Sequence, residues 1–64
     1  MTPEAKTDAN QRGFDVLFVN GPHDQQWVDV FIHGTQQGFR FGTIEEGWNK
    51  VQELINRDSY GIGN

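Results

Sequence analysis

WVDVFIH, residues 27–33, decides how this chain folds. Side chains alternate between the two faces of a strand, so Val28, Val30 and Ile32 point one way, and Trp27, Asp29, Phe31 and His33 the other. The first set contains no polar residue and is assigned to the core. The opposite parity would bury Asp29 and His33, which costs free energy unless both find partners. This assignment leaves a second apolar pair, Trp27 and Phe31, with no evident cover.

FDVLFVN, residues 14–20, reads as the preceding strand, with Phe14, Val16 and Phe18 inward and Asp15, Leu17 and Val19 outward. GPHDQQ, residues 21–26, joins the two as a connection of hairpin length, punctuated by Gly21 and Pro22. GTQQG, residues 34–38, reads as a second hairpin loop with glycine at each end. FRF, residues 39–41, is a short third strand with Phe39 and Phe41 inward and Arg40 outward. Nothing in the sequence specifies which edge it pairs with.

Gly42 breaks the strand, and Thr43-Ile44-Glu45-Glu46 has the form of a capping box: the Thr43 hydroxyl accepts from the Glu46 amide, and Glu46 reaches back. Two acids in the first turn also suit the helix dipole. Ile44, Trp48, Val51 and Ile55 recur at helical spacing, and Leu54 widens the stripe. Glu46 with Lys50, and Glu53 with Arg57, stand four apart in the favourable order. Gly47 costs the helix up to about 1 kcal/mol relative to alanine. It either admits a close neighbour or is a tolerated weak spot.

These elements predict an α+β fold, a three-stranded antiparallel sheet followed by one helix packed on one face (βββα), in a single domain over residues 13–58. The predicted core is Phe14, Val16, Phe18, Val28, Val30, Ile32, Phe39, Phe41, Ile44, Trp48, Val51 and Ile55. Residues 1–12 are polar apart from Met1, Ala5 and Ala9 and predict a flexible arm; residues 59–64 predict a flexible tail.

A chain of 64 residues makes one small domain, for which burial is inefficient. The lack of cysteine excludes disulfides and thiolate metal sites. A formal net charge of -4 and a pI near 4.8 weigh against nucleic acid as a partner. The polar start lacks the apolar segment of an export signal, and no apolar run approaches the roughly 20 residues of a membrane span. The expectation is a cytoplasmic protein with no membrane partner.

The uncovered sheet face would carry Asp15, Leu17, Val19, Trp27, Asp29, Phe31, His33 and Arg40. A solvated face is mostly polar, whereas Leu17, Val19, Trp27 and Phe31 make this one half apolar, as interaction surfaces are. Trp and Arg are typical anchors of such surfaces. Asp15 and Asp29 would ring the centre with negative charge and favour a partner bearing Lys or Arg. These eight residues are the expected partner-binding site. A symmetric homodimer, a different protein, or Tyr60 and Ile62 folding back from the tail would each cover it.

No catalytic residues are assigned. Asp29 and His33, four apart on one strand, would lie roughly 13 Å from each other, too far to share a metal or a proton. His23 and Asp24 lack further ligands, and no HxH, HxxxH or calcium-loop pattern occurs, so neither metal nor cofactor is expected. Ser59 falls in the tail, Thr43 serves as a cap, and there is no G-x-S-x-G, GxGxxG or GK[ST] motif. Glu45 and Glu46 are explained by helix capping. The expectation is a protein that is not an enzyme.

Three strands closing on FRFGTIEEGWNKVQELI resemble, in order of elements, the AP2-type and integrase-arm modules that read DNA with an open sheet face. That resemblance implies a DNA-binding alternative using the same face. The chain departs from it on the reading strands, where Arg40 stands alone against Asp15 and Asp29. In length, acidity, lack of cysteine, hairpin-plus-helix pattern and lack of a catalytic motif, the chain resembles small phage-encoded inhibitors of the anti-CRISPR and host-takeover type. That resemblance implies an inhibitor acting in the host cytoplasm by occupying a surface of a host protein or complex. A homodimeric structural or regulatory protein is the remaining alternative.

Overall fold

The computed structural model describes residues 1–62, with side chains described through residue 57. The chain runs through α1 (Pro3–Gln11), β1 (Phe14–Asn20), a 3-10 turn (Pro22–Asp24), β2 (Gln26–Ile32), β3 (Thr35–Gln36) and α2 (Ile44–Ile62). The strands form an antiparallel sheet in the order β1-β2-β3, which places WVDVFIH in the middle. Phe14 pairs with Ile32, Val16 with Val30 and Phe18 with Val28. The α+β class and the three-stranded antiparallel sheet are as the sequence predicts.

The parity drawn from β2 holds at its centre. Val28 and Val30 are fully buried and meet Val16, Phe14, Trp48, Val51 and Ala9 in the core. Ile32, Phe39, Phe41, Ile44, Leu54 and Ile55 pack around them, half-buried. Phe18 is the exception. It shares the inward parity but is 61% exposed. Seven strand residues span roughly 23 Å, about twice the width of one helix, so a helix crossing near Val16 leaves the strand's far end uncovered.

Residues 1–12 do not form the expected arm. Thr2 caps α1 by accepting from the Ala5 amide at 3.2 Å, and Pro3 occupies a first-turn position where its missing N–H costs nothing. Asp8 and Arg12 pair at 3.0 Å one turn apart. Ala9 is fully buried against the core, and Met1 packs beside it. The arrangement is therefore αβββα. One small buried residue suffices because α1 lies close to its neighbours, a contact that hydrophobic periodicity does not register.

The second hairpin also differs. Its loop is not residues 34–38 but His33 and Gly34, both at positive φ (52° and 81°), with Ile32 paired to Thr35. Primed two-residue turns match strand twist and require this backbone at both positions. Residues 35–36, read as loop, are strand. FRF, read as strand, contributes a single bridge, Phe41 to Val28, whose backbone bonds measure 2.8 and 2.9 Å.

At the start of α2, the Glu46 amide donates to the Thr43 hydroxyl at 3.2 Å. The Glu46 carboxylate, expected on the Thr43 amide, instead accepts from the Thr43 hydroxyl at 3.3 Å. Lys50 does not pair with Glu46; it reaches Glu53 at 3.4 Å and sits 5.0 Å above the Phe39 ring. Glu53 and Arg57 pair as expected, at 2.7 Å. The segment read as a tail overlaps the end of α2, and the side chains of Tyr60 and Ile62 lie outside the described residues.

The two readings of Gly47 are resolved in favour of close approach. A Cβ there would collide with Val16 Cγ1 and stand 3.0 Å from Val28 Cγ1. Both valines are stiff at χ1 and buried, so neither yields readily. Gly47→Ala should therefore lower stability: overpacking costs about 1–3 kcal/mol and outweighs the gain of up to ~1 kcal/mol in helix propensity. Urea unfolding measures it, and Val16→Ala in the same chain should recover part of the loss. Deleting residues 1–12 should likewise lower the urea midpoint, whereas removal of an unpacked arm would leave it unchanged.

Candidate functional site

On the face away from the helices, Leu17 lies beside Asp29 across the β1–β2 pair, with Val19 beside Trp27 and Asp15 beside Phe31. Leu17 is thus diagonal to both aromatic rings, within reach of long side chains. It is 46% exposed, while Val19, Trp27 and Phe31 are half-buried.

Trp27 is held from two sides. A Cβ on Gly21 would collide with the indole, so the ring lies directly against that backbone. The Arg40 guanidinium sits 4.4 Å from the ring centroid, in cation–π contact. The indole Nε1 is buried without a hydrogen-bond partner. Among the described residues, Arg40 makes no hydrogen bond or ion pair through its side chain, and it remains exposed.

Asp29 is not on this surface. It is fully buried. Its Oδ1 accepts from the Val30 amide at 2.7 Å and the Phe39 amide at 2.9 Å, and its Oδ2 from the Gly38 amide at 3.1 Å. The Gln37 amide still bonds Val30 O, at 3.0 Å, and Phe41 resumes pairing at Val28. Residues 38–40 therefore bulge opposite Asp29 alone. A bulge of this kind frees backbone amides, and the carboxylate collects them. A buried Asp29 is costly only where it lacks partners. It has three, all from backbone, and the side chain is structural rather than partner-binding.

His33 also leaves the face, because the strand ends one residue earlier. It is the first residue of the primed turn, its ring lies against Gly13, and its amide donates to Gly13 O at 2.8 Å. Asp15 is half-buried and turns along its own strand to accept from the Val16 amide at 2.9 Å. Of the expected acidic ring only Asp15 remains, beside Phe31 and with its carboxylate already accepting from backbone. The residues brought together are Leu17, Val19, Trp27, Phe31 and Arg40.

Phe18, placed in the core by parity, is instead the most exposed large apolar side chain among the described residues. The length of the strand relative to one helix was the available signal. Elsewhere, a groove of about 380 Å³ runs between Phe39, Phe41, Glu46, Asn49, Lys50 and Glu53. Its charges are already engaged: Glu46 with Thr43, and Lys50 with Glu53. Among the described residues, no three His, Cys, Asp or Glu side chains are grouped to hold a metal, and no helix is long and apolar enough to cross a membrane.

The bulge should depend on its carboxylate. Asp29→Asn swaps one acceptor oxygen for a donor facing amides, and Asp29→Ala removes both acceptors. Hydrogen bonds to a charged group contribute about 1.5–3 kcal/mol, so each variant should lose at least ~2 kcal/mol. Urea unfolding measures the loss, and amide exchange at Gly38 and Phe39 should accelerate. Unchanged exchange at both would show that the bulge holds without Asp29.

No family model, curated protein or solved structure matches the chain, so what this face does has to be argued from its own residues.

Proposed function

We propose that this chain is a small non-enzymatic protein-binding module, an inhibitor that docks on a host protein or complex through the Leu17, Val19, Trp27, Phe31 and Arg40 face. The observation that carries this reading is the exposure of Leu17, 46%, at the centre of an otherwise half-buried aromatic patch. A face meant only for solvent gains nothing from a leucine there. An apolar centre with a polar rim is the anatomy of a protein contact.

Arg40 and Trp27 supply the anchor. The ring is fixed between Gly21 and Arg40, and the guanidinium rests on the ring, so both have lost rotamer freedom before a partner arrives. Pre-ordered groups bind at lower entropic cost. A guanidinium with unused donors suits a carboxylate on the partner, placed next to an apolar side chain that covers Leu17. This replaces the expectation of a Lys or Arg opposite Asp29, which is buried.

The DNA-binding alternative has little to draw on. Arg40 is the one Lys or Arg on this face among the described residues, and it is stacked on Trp27. Phosphate contacts supply most non-specific affinity, and one cation on a chain of net charge -4 supplies little.

The test is capture of a partner from host lysate, identified by mass spectrometry, with the tagged chain and its Trp27→Ala/Phe31→Ala variant. The variant should keep its circular dichroism spectrum and bind the identified partner at least about 30-fold more weakly, the loss of one hot spot of ~2 kcal/mol. Trp27→Phe, which keeps a ring under Arg40, should lose less. Full-strength binding by the double variant would rule the face out.

A further inference from the structure

The two exposed large apolar side chains, Leu17 at 46% and Phe18 at 61%, are consecutive residues of β1 and therefore lie on opposite faces of the sheet. A partner docked on either face would cover one and leave the other in water. Only a strand laid along the β1 edge reaches both. Among the described residues no strand pairs with that edge, because β1 is terminal in the sheet order.

The backbone directions agree. Val28 exchanges both of its backbone bonds with Phe41, on the β3 side of the sheet. Its opposite number on β1 is Phe18. In an antiparallel pair, a residue whose partner turns away also turns away, so the Phe18 N–H and C=O point out from the free edge. Period two carries this outward direction to Val16 and Asn20. The Val16 amide is already taken by the Asp15 carboxylate at 2.9 Å. Among the described residues, the Phe18 and Asn20 backbone groups have no partner on that side.

We infer that β1 pairs edge to edge with β1 of a second copy of this chain, antiparallel about a twofold axis through Phe18, making a continuous six-stranded sheet. The register follows from the free groups. Centring on Phe18 opposes Phe18 to Phe18, Leu17 to Val19 and Val16 to Asn20. Each Phe18 amide donates to the other Phe18 carbonyl, and each Asn20 amide to a Val16 carbonyl. The four bonds leave the Asp15–Val16 contact intact. In this register the Val16 amide is missing only from the outer pairs, where it faces Asn20; a register centred on Leu17 would oppose Val16 to Phe18 and lose it from the central pairs.

Side chains complement themselves in the same register. The two Phe18 rings meet on the helix-side face, and Leu17 packs on Val19 on the other, as aromatic and aliphatic cross-strand pairs do. Residues 16–19, VLFV, carry no charge, and each Asp15 falls opposite Gly21, so no like charges meet. This goes beyond the docking face: Leu17 and Val19 at its border meet in the pair, while Trp27, Phe31 and Arg40 stay uncovered and occur twice on the extended sheet. The paired segment is short, so the contact should fall below the roughly 1,200 Å² of standard interfaces and associate weakly.

Sedimentation equilibrium over a concentration series should show the 7.3 kDa chain shifting toward twice that mass. Phe18→Lys should stay at the single-chain mass with an unchanged circular dichroism spectrum. In the wild-type chain, exchange of the Phe18 and Asn20 amides should slow as concentration rises, while the Val16 amide stays slow throughout. The chain has no cysteine, so single cysteines report the register. Opposed Cα atoms at position 18 would be about 5.5 Å apart, within disulfide reach. Those at position 17 would be about 8 Å apart and out of reach. Phe18→Cys should therefore oxidise to a dimer at least about tenfold faster than Leu17→Cys. A single-chain mass at every concentration, or equal oxidation of the two variants, would overturn the inference. The mass result bears only on the edge, because Phe18 is on the other side of the sheet from Trp27 and Phe31, and the oxidation result reads only the distance between the two β1 strands.

Discussion

The Asp29 carboxylate organises the second half of this molecule. A hairpin with a primed two-residue turn sets β3 in register with β2 for two pairs and would continue the ladder if nothing intervened. Residues 38–40 leave it instead, and the amides released are gathered by one fully buried side chain. Burying a lone carboxylate is expensive, but three charge-assisted bonds from backbone offset the desolvation. The detour has two consequences. Phe39 and Phe41 reach the helix side, where their rings stack 5.5 Å apart beside α2, and Arg40 swings onto the Trp27 ring.

The sheet is thereby treated differently on its two sides. Helices α1 and α2 cover one face with Ala9, Trp48 and Val51, and Gly47 lets α2 settle onto Val16 and Val28 without a spacer. Among the described residues the other face receives only Arg40 and the bulge as cover. A chain this short has too little surface to cover both sides. What remains uncovered is apolar on both faces at one place, Leu17 and Phe18 on the edge strand. The open face offers a surface to a different protein, and the edge offers backbone pairing to a like strand. The two contacts share Leu17 and Val19, at the border of the open face, and otherwise use different groups.

Much of this was legible in WVDVFIH and its surroundings. Alternation set the parity of β1 and β2, Thr43-Ile44-Glu45-Glu46 marked the start of α2, and the stripe Trp48, Val51, Ile55 marked its inner side. Thr2-Pro3-Glu4, a cap followed by proline at the first helical position, is a helix start that apolar periodicity does not register. Of the eight residues expected on the binding face, Leu17, Val19, Trp27, Phe31 and Arg40 are together on it, Asp15 stands at its edge, and Asp29 and His33 have left it. Asp15, Asp29 and His33 are engaged with backbone or turn. Asp and Asn are usually judged by exposure, and a carboxylate that collects its own neighbour's amide leaves no pattern in the sequence.

Periodicity and capping are local, and the sequence by itself determined what depends on them: strand parity, the antiparallel hairpin of β1 and β2, the class of the fold and the placement of α2. What only the tertiary structure decided depends on distances between segments far apart in the chain. Whether Gly47 is a weakness or a seat rests on how near Val16 comes. Whether Asp29 is a rim charge or an internal acceptor rests on where residues 38 and 39 turn. Whether Phe18 is core or edge rests on how far along β1 the helix layer reaches. Each is settled by packing, because the same side chain is favourable or costly according to which groups close around it.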